Sequence, residues 1–340
     1  MLPIAVDIMG GDFAPRAIVQ GVGEALDMLP GIADLILVGD ESQIQAELKR
    51  IGKFEDARLA IVHAPEVVHM DESATAALRQ KKNSSISVAA TLVKDGKAAA
   101  LVSAGHTGAA VAAAVVKLRM LPGVERPGIA AVFPTPKGRF VLLDAGANVN
   151  AKPEHLVHYA VMGDAYAANI LGIKQPRVGL LSVGTEDEKG NELSKTVFRI
   201  LDRLPDMHFI GNVEGNDLFE GVVDVVVCDG FVGNVVLKCC ESLAKALSHI
   251  LKEKLMRNPL RMTGAFLARG AFDEVRQIGD YAEYGGAPLL GVNGVVIIGH
   301  GSSSPKAVRN AIRVASEFVD HKVNERIVGG VQALGELSIS

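Results

Sequence analysis

Six short segments of the sequence combine glycine with small polar or charged residues, and each directly follows a run of apolar residues. Glycine lets the backbone turn tightly and approach a ligand closely, and the N–H groups of such turns can bind an anion. The carboxyl ends of parallel strands meet at one edge of a sheet, where ligands bind. The sequence therefore predicts a polar, anion-binding cleft built from six loops: Asp7–Asp12, Ser103–Gly108, Asp144–Asn150, Ser182–Gly190, Asp229–Asn234 and Gly299–Ser304.

The segment SAGHTG at residues 103–108 is the clearest candidate for binding phosphate. It lies between a predicted strand and an alanine-rich predicted helix, and a helix start offers free N–H groups and a favourable dipole. We expect Thr107 to cap this helix. The alternative is an ordinary strand–helix turn in which the hydroxyls only cap the backbone. The predicted binding residues in this segment are Ser103, Gly105, Thr107 and Gly108.

Four side chains are candidates for the chemistry itself. Asp229 could orient a nucleophile or hold a cation, although capping the next helix is an alternative role. Lys189 could reach over a bound phosphate, or it could simply be a solvated lysine of a polar loop. His106 and Asn234 could donate a hydrogen bond to a carbonyl oxygen that becomes negatively charged, although a lone histidine is often structural. Further predicted binding residues are Gly10, Gly11, Asn148, Gly233, His300 and Ser302.

Several standard catalytic motifs are absent from the sequence. There is no GxxxxGK[ST] motif, no strand-linked GxGxxG motif and no GxSxG motif. These absences favour free phosphate or a phosphate ester over ATP, and direct transfer over an acyl-enzyme intermediate. We expect neither a metal nor a cofactor. Cys239 and Cys240 fall within a predicted apolar helix, where we expect buried and unreactive thiols.

Strands and helices alternate along nearly the whole sequence, and this alternation must position the loops. It predicts an α/β fold with a doubly wound, largely parallel sheet, arranged as two lobes with a cleft. We expect residues 1–340 to form one two-lobed catalytic unit, with the proline-rich stretch Leu121–Pro136 crossing between lobes. The predicted strands are Ile4–Ile8, Leu35–Val38, Leu59–His63, Ala99–Ser103, Ile129–Phe133, Arg139–Leu143, Val178–Val183, His208–Asn212, Val223–Cys228 and Val295–Ile298. The predicted helices are 15–28, 41–51, 86–94, 107–119, 154–171, 191–203, 234–256 and 305–322.

The composition narrows the class of protein. Of the 340 residues, 49% are apolar but only 4% are aromatic, which suits a core of buried parallel strands and not a platform for stacking bases. The net charge of −4 gives no general attraction to nucleic acid, so we expect no nucleic-acid partner. Three cysteines with no disulfide pattern, and a start without signal-peptide features, predict a cytoplasmic protein.

Residues 251–270 differ from the rest of the sequence because basic and large apolar residues alternate there. We expect a basic amphipathic hairpin, with Pro259 and Gly264 interrupting its helix. Such a segment could lie on anionic lipid, bind an acidic partner, or pack against another lobe or subunit. The predicted docking residues are Lys252, Lys254, Arg257, Arg261, Phe266 and Leu267.

Taken in order, these loops resemble the phosphate acyltransferase family of bacterial phospholipid synthesis, the acyl-acyl carrier protein:phosphate transacylases. The similar stretches cover nearly the whole chain, from residue 5 to residue 304. Many members of the family resemble SAGNTGA where this sequence has His106. The stretches are AVDIMGGDFAP, SAGHTGA, RPGIA, LLDAGAN, GLLSVGTEDEKGNEL, FIGNVEGNDL, VVVCDGFVGNVVLK, YGGAPLLGVNG and GHGSSS.

The resemblance implies a fold similar to those of phosphotransacetylases and isocitrate/isopropylmalate dehydrogenases, and a homodimer. It implies that fatty acyl-acyl carrier protein and inorganic phosphate react to give acyl phosphate, which a membrane glycerol-3-phosphate acyltransferase then uses. It also implies peripheral association with the inner face of the membrane, in agreement with residues 251–270. The acidic carrier would dock on that hairpin or on the basic run at residues 79–82.

Three other functions remain as alternatives. A short-chain phosphotransacetylase acting on acyl-CoA would use a similar site. A dehydrogenase of related fold would need a nicotinamide site and usually a cluster of metal-binding acids, and no suitable aspartate triplet is evident in the sequence. A non-catalytic scaffold of lipid metabolism would leave the six polar loops without a role.

Overall fold

Two largely parallel β-sheets carry the loops described above. The computed structural model describes residues 2–69, 71–279 and 281–337. The first sheet has seven strands in the order β3-β2-β1-β4-β12-β11-β5, and the second has five in the order β6-β7-β10-β8-β9. The strands are β1 (Ile4–Asp7), β2 (Leu35–Gly39), β3 (Leu59–His63), β4 (Ala100–Ser103), β5 (Gly128–Ile129), β6 (Ala131–Thr135), β7 (Gly138–Leu143), β8 (Val178–Leu181), β9 (Phe209–Val213), β10 (Val225–Val227), β11 (Ala287–Leu290) and β12 (Val295–Ile298).

Parallel pairing dominates both sheets, which confirms the predicted α/β fold. In the first sheet, β11 is antiparallel to both β12 and β5, while the other pairs are parallel. In the second sheet, β6 is antiparallel to β7 and the other pairs are parallel. Because parallel strands point the same way, the loops after β1, β4 and β12 share one edge of the first sheet. The loops after β7, β8 and β10 share one edge of the second.

Helices cover the sheets and are placed by their apolar faces. The helix at Pro305–Asp320 is an example, because its residues Ala307, Val308, Ala311, Ile312 and Ala315 repeat at three- and four-residue intervals and are all buried. The helices are α1 (Arg16–Met28), α2 (Glu41–Arg50), α3 (Ala74–Gln80), α4 (Ser85–Lys94), α5 (Thr107–Ala113), α6 (Pro153–Asn169), α7 (Glu192–Leu201), α8 (Gly230–Leu255), α9 (Pro259–Leu267), α10 (Arg269–Gly279), α11 (Tyr281–Tyr284), α12 (Pro305–Asp320) and α13 (Val323–Leu337).

The chain passes from the first sheet to the second at Ala130. The predicted single strand Ile129–Phe133 is wrong, because Ile129 pairs with β11 of the first sheet and Ala131 begins β6 of the second. The crossing lies within the proline-rich stretch 121–136, where it was expected. It is fixed by the Ile129 N–H, which donates to Asp144 Oδ1 at 2.9 Å. One buried cluster contains residues of both sheets, including Val6, Leu37, Val141 and Val225.

A long helical segment, residues 238–275, contains no buried residue. We call it the arm; it comprises most of α8, all of α9 and the first part of α10. The prediction of buried thiols on α8 is wrong, since Cys239 is exposed and Cys240 is only partly buried. The helix is interrupted between Leu255 and Pro259, as expected, but Gly264 lies inside α9 and does not interrupt it. In the part of the chain that the structure describes, no helix is both long enough and apolar enough to cross a membrane.

Candidate functional site

The predicted site residues fall into two groups, one at each sheet edge. The first group follows β1, β4 and β12, and the second follows β7, β8 and β10. Within the described ranges, no hydrogen bond or ion pair joins a residue of one group to a residue of the other. The structure therefore brings each set of loops together at one edge of its own sheet. We call the first sheet with its loops the first lobe, and the second sheet with its loops the second lobe.

The three loops of the first group interlock through their backbones. A Cβ atom on Gly10 would lie 2.7 Å from the Gly105 nitrogen, so the two loops approach as closely as only glycine permits. Gly11 has a φ of 114°, and a Cβ there would lie 3.0 Å from the Gly301 carbonyl oxygen. The Gly299 N–H donates to the Ser103 carbonyl oxygen at 2.8 Å. These contacts join all three loops into one surface.

Two buried polar residues lie beneath this surface. The Ser103 hydroxyl donates to Asp7 Oδ2 at 2.7 Å, and both residues are almost fully buried. Burial raises the pKa of the Asp7 carboxyl, although its hydrogen bonds act in the opposite direction. Asp7 was not among the predicted binding residues. The available signal was its position, since it is the last residue of β1 and the first of a glycine-rich loop.

His106, and not Thr107, caps α5, so the predicted cap was wrong. The His106 Nδ1 atom accepts the Ala109 N–H at 3.3 Å, which requires Nδ1 to be unprotonated and places the ring proton on Nε2. Thr107 is exposed as the first helical residue, and the N–H groups of Thr107 and Gly108 donate to no described residue. Loop 103–108 therefore retains two backbone donors and one imidazole donor that a ligand can use.

His300 and Ser302 form a local turn beside the same surface. The His300 Nδ1 atom accepts the Ser302 N–H at 3.1 Å and lies 2.8 Å from the Ser302 hydroxyl oxygen. A cavity of about 20 Å³ separates this turn from Asp7 and Ser103. That volume is sufficient for about one water molecule and too small for a substrate. A substrate therefore does not fit between this turn and the Asp7–Ser103 pair.

In the second group, Asp144 organises the loop at residues 144–150. Its carboxylate accepts the N–H groups of Gly146, Ala147 and Asn148 at 2.8–3.0 Å. Burial raises the pKa of Asp144, and these hydrogen bonds oppose that rise. The expectation that this loop offers free N–H groups to an anion is therefore not met, because its own aspartate occupies them.

The same aspartate holds the start of α8 close to this loop. A Cβ atom on Gly230 would lie 2.6 Å from Asp144 Oδ2, and one on Gly233 would lie 1.9 Å from the Asp144 carbonyl oxygen. Only glycine fits at these two positions. The predicted binding residue Gly233 is thus required for packing, whatever else it contacts.

Asp229 caps α8, the alternative role that the sequence left open. Its Oδ1 atom accepts the N–H groups of Phe231 and Val232, both at 2.9 Å. In the described part of the chain, no group of three or more His, Cys, Asp or Glu residues is placed to hold a metal ion. Asn148 is directed inward, and its amide donates to the Tyr159 hydroxyl at 2.8 Å. Asn234 is exposed on the first turns of α8 and lies beside Gly146.

Lys189 lies in the exposed loop after β8. A Cβ atom on Gly184 would lie 2.7 Å from Lys189 Cγ, so the lysine stem packs over that glycine. The Asn212 amide donates to the Glu186 carbonyl oxygen at 2.8 Å and fixes the loop to β9. The ammonium group of Lys189 forms no ion pair with a described residue. It remains available to a negatively charged ligand.

The predicted docking residues are all exposed on the arm. Lys254 lies 3.2 Å from Glu253, and Arg261 donates to the Lys254 carbonyl oxygen. The alternative basic run at 79–82 is partly neutralised, because Lys81 donates to Glu72 at 2.6 Å. Arg79 and Lys82 are exposed in that run.

Comparison with known proteins gives one consistent result. Residues 2–326 match the family described as fatty acid synthesis protein. The phosphate acyltransferase of Pelotomaculum thermopropionicum is 53% identical over 333 residues, covering 98% of this chain and 96% of that protein. The phosphate acyltransferase of Akkermansia muciniphila is 50% identical over 341 residues, covering 99% of this chain and 97% of that protein.

Solved structures with a similar fold share far less sequence. A phosphotransacetylase from Streptococcus pyogenes has a TM-score of 0.60 at 18% identity, covering 94% of each chain. A branched-chain phosphotransacylase from Enterococcus faecalis has a TM-score of 0.54 at 18% identity, covering 92% of this chain and 98% of that one. At this identity the likeness shows the fold alone. It confirms the expected similarity to phosphotransacetylases.

Proposed function

This chain belongs to the fatty acid synthesis protein family and is a phosphate acyltransferase, and we propose that its acyl donor is a fatty acyl thioester on acyl carrier protein. The acceptor is inorganic phosphate, and the product is an acyl phosphate for phospholipid synthesis. We propose that a membrane glycerol-3-phosphate acyltransferase consumes that product. A short-chain reaction with acyl-CoA is the second candidate, favoured only by the fold shared with phosphotransacetylases.

Loop 103–108 is the observation that supports a phosphate site in the first lobe. Its free donors are the N–H groups of Thr107 and Gly108 and the Nε2–H of His106. Phosphate binds well where several N–H groups converge near a helix start. In the second lobe, by contrast, the N–H groups after β7 and β10 are bonded to Asp144 and Asp229. The second lobe therefore contributes side chains, above all the ammonium group of Lys189.

In the proposed reaction, these donors hold phosphate and stabilise the charge that develops on the thioester carbonyl oxygen. A phosphate oxygen attacks the thioester carbonyl carbon, a C–O bond forms, and the C–S bond then breaks to release the carrier's thiolate. His106, Asn234 or a backbone N–H stabilises the carbonyl oxygen while it is negatively charged. Loss of such a donor typically costs about 2.7–4 kcal/mol of transition-state stabilisation. The thiolate is a good leaving group, so the step needs no strong acid.

The arm is the proposed docking surface for the carrier, a second subunit and the membrane. Basic side chains such as Lys252 and Arg257 suit an acidic carrier protein, whose binding would weaken as salt rises. Large apolar side chains beside them suit a lipid surface or a second copy of the chain. We therefore propose a cytoplasmic homodimer in peripheral contact with the inner face of the membrane.

The test of this function is a donor comparison with the purified protein. We expect palmitoyl-acyl carrier protein and phosphate together to give an acyl phosphate, which hydroxylamine traps as the hydroxamate. Omission of phosphate should abolish the product, and palmitoyl-CoA should give much less. Equal or greater product from the CoA donor would replace the carrier proposal. No product from either donor, with folded protein, would contradict the proposed reaction.

The same assay tests the role of Lys189. We expect Lys189→Ala to lower turnover because the bound phosphate loses the ammonium group that the second sheet contributes. Lys174→Ala is the matched control, since Lys174 is an exposed lysine that precedes β8 and so lies at the opposite edge of the same sheet. Equal turnover in the two variants would remove Lys189 from the mechanism.

A further inference from the structure

We propose that Asp7 is a positioning residue that holds loop 103–108 in the conformation that binds phosphate, acting through the hydroxyl of Ser103. The inference rests on the proposed function and deepens it, because it names a buried residue that sets the affinity for phosphate. Asp7 does not touch the substrate in this proposal. It acts on the loop that does.

A short chain of hydrogen bonds connects Asp7 to the loop. Asp7 and Ser103 are paired across the parallel strands β1 and β4, and each is the last residue of its strand. The Ser103 hydroxyl donates to Asp7 Oδ2 at 2.7 Å and accepts the Gly105 N–H at 3.2 Å. The carboxyl of Asp7 therefore fixes the direction of the hydroxyl, and the hydroxyl fixes the backbone of the loop one residue before His106.

The other carboxyl oxygen of Asp7 holds the neighbouring loop. Asp7 Oδ1 accepts the Met9 N–H at 3.2 Å. A Cβ on Gly10 would lie 2.7 Å from both Asp7 Oδ2 and the Gly105 nitrogen, so the two loops and the carboxyl are in direct contact. Asp7 thus fixes both loops relative to each other, and with them the donors of Thr107 and Gly108.

The cost of burying this carboxyl indicates that it has a role beyond stability. Asp7 is 3% exposed and Ser103 is 2% exposed, and within the described chain Asp7 has no cationic partner. A buried acid without a cation is usually less favourable than an apolar residue in the same space. The two small cavities beside Asp7 are lined by two histidines, His106 and His300, and by no lysine, arginine or second acid. Burial raises the pKa of Asp7, while its hydrogen bonds with Ser85 and Ser103 act to lower it.

Two measurements test this role of Asp7. One is the affinity for inorganic phosphate, measured by calorimetry, and the other is the KM for phosphate. We expect Asp7→Ala and Ser103→Ala each to weaken phosphate binding about tenfold, the effect of losing roughly one buried hydrogen bond. Asp7→Asn keeps an acceptor for the Met9 N–H and a polar partner for Ser103. It should weaken binding less than Asp7→Ala does, because the amide fills the same space and can donate to the Ser103 hydroxyl oxygen, although it cannot accept the Ser103 O–H. The KM for the acyl donor should change little in all three variants.

Asp224→Asn is the matched control. Asp224 is also a buried aspartate, but it precedes β10 and lies at the amino edge of the second sheet. This variant should lose stability and keep wild-type affinity for phosphate. Wild-type phosphate binding in both Asp7→Ala and Ser103→Ala would overturn the proposal, as would an equal loss in Asp224→Asn. If Asp7→Ala does not fold, the phosphate affinity of Ser103→Ala alone tests the proposal. Wild-type protein that binds phosphate but makes no acyl phosphate would contradict the proposed function and leave the role of Asp7 measurable by calorimetry.

Discussion

At the scale of single residues, three aspartates that follow or end strands accept hydrogen bonds from the backbone. The sequence alone does not show whether such an aspartate has a structural or a catalytic role. Asp7 and Asp144 accept hydrogen bonds from the backbones of their own loops, and Asp229 caps α8. A cap uses one carboxylate oxygen and leaves the other free. For Asp229, whose Oδ1 accepts both N–H groups, Oδ2 remains free to accept a hydrogen bond from a protonated phosphate oxygen.

Substitutions of Asp229 can separate its role as the cap of α8 from a role in the reaction. Asn caps helices about as well as Asp, whereas Ala loses about 1 kcal/mol. We expect Asp229→Asn to keep the wild-type urea midpoint and to lower kcat by about tenfold or more, because the amide nitrogen cannot accept a hydrogen bond from phosphate. Asp229→Ala should lower both quantities. Asp40→Asn is the control, since Asp40 caps α2 in the same way and lies outside the predicted site. Wild-type kcat in Asp229→Asn would mean that Asp229 is a cap only.

The candidate site could be predicted from the sequence as a set of loops but not as a set of hydrogen bonds. Glycine spacing after apolar runs was sufficient to place the loops at Ser103–Gly108 and Asp229–Asn234. Which N–H groups stay free depends on side chains such as Asp144, whose loop conformation no local pattern fixes. The cap at His106 was missed for a similar reason, because Thr is a more common cap residue than His.

At the scale of elements, the fold class followed from the alternation of strands and helices, while tertiary context decided the exceptions. One apolar run was predicted as the strand Ile129–Phe133 and is divided between two sheets. Periodicity within five residues carries no information about which sheet a residue will join. The antiparallel strand β11 was missed because Pro288 and the glycines flanking it resemble a turn.

An ion pair between the residues that precede β8 and β10 should make the stability of the second sheet depend on pH. Arg177 donates through Nε and Nη2 to the two carboxylate oxygens of Asp224, each at 2.8 Å. Burial works to raise the pKa of Asp224, but the hydrogen bonds from Arg177 outweigh it and the pKa is lowered. A carboxylate with a lowered native pKa stabilises the fold fully above its unfolded pKa of about 3.9. That contribution is lost as the pH falls below this value toward the native pKa.

Asp224→Asn should therefore reduce the free energy of unfolding at pH 7 by about 1–2 kcal/mol, a modest figure because Arg177 is partly exposed. The difference between variant and wild type should shrink as the pH falls below about 3.9, because the unfolded chain then takes up a proton that the native carboxylate does not. Urea unfolding across this range measures both effects. A difference that does not change with pH would show that the charge of Asp224 contributes nothing.

At the scale of the whole molecule, the arm exposes large apolar side chains that a partner could cover. Leu260, Phe266 and Leu267 are 84%, 73% and 79% exposed, and Leu243 and Leu247 on α8 are also exposed. Monomeric soluble proteins rarely leave large contiguous apolar surfaces uncovered. On α8, positions 243, 247 and 250 lie within about 60° of one another around the helix, at 100° per residue. Such a narrow apolar stripe suits a second helix, and a second copy of α8 is the simplest one available.

We therefore expect Leu243→Glu combined with Leu247→Glu to convert a dimer into a monomer, because two buried charges would face the partner helix. Sedimentation velocity measures the mass of each variant. The matched control is Lys245→Glu combined with His249→Glu, which adds acids on the opposite side of the same two turns and should leave the dimer intact. Wild-type protein that sediments as a monomer would contradict the dimer. It would also leave lipid as the cover for the stripe, in which case the same leucine variant should lose binding to anionic vesicles.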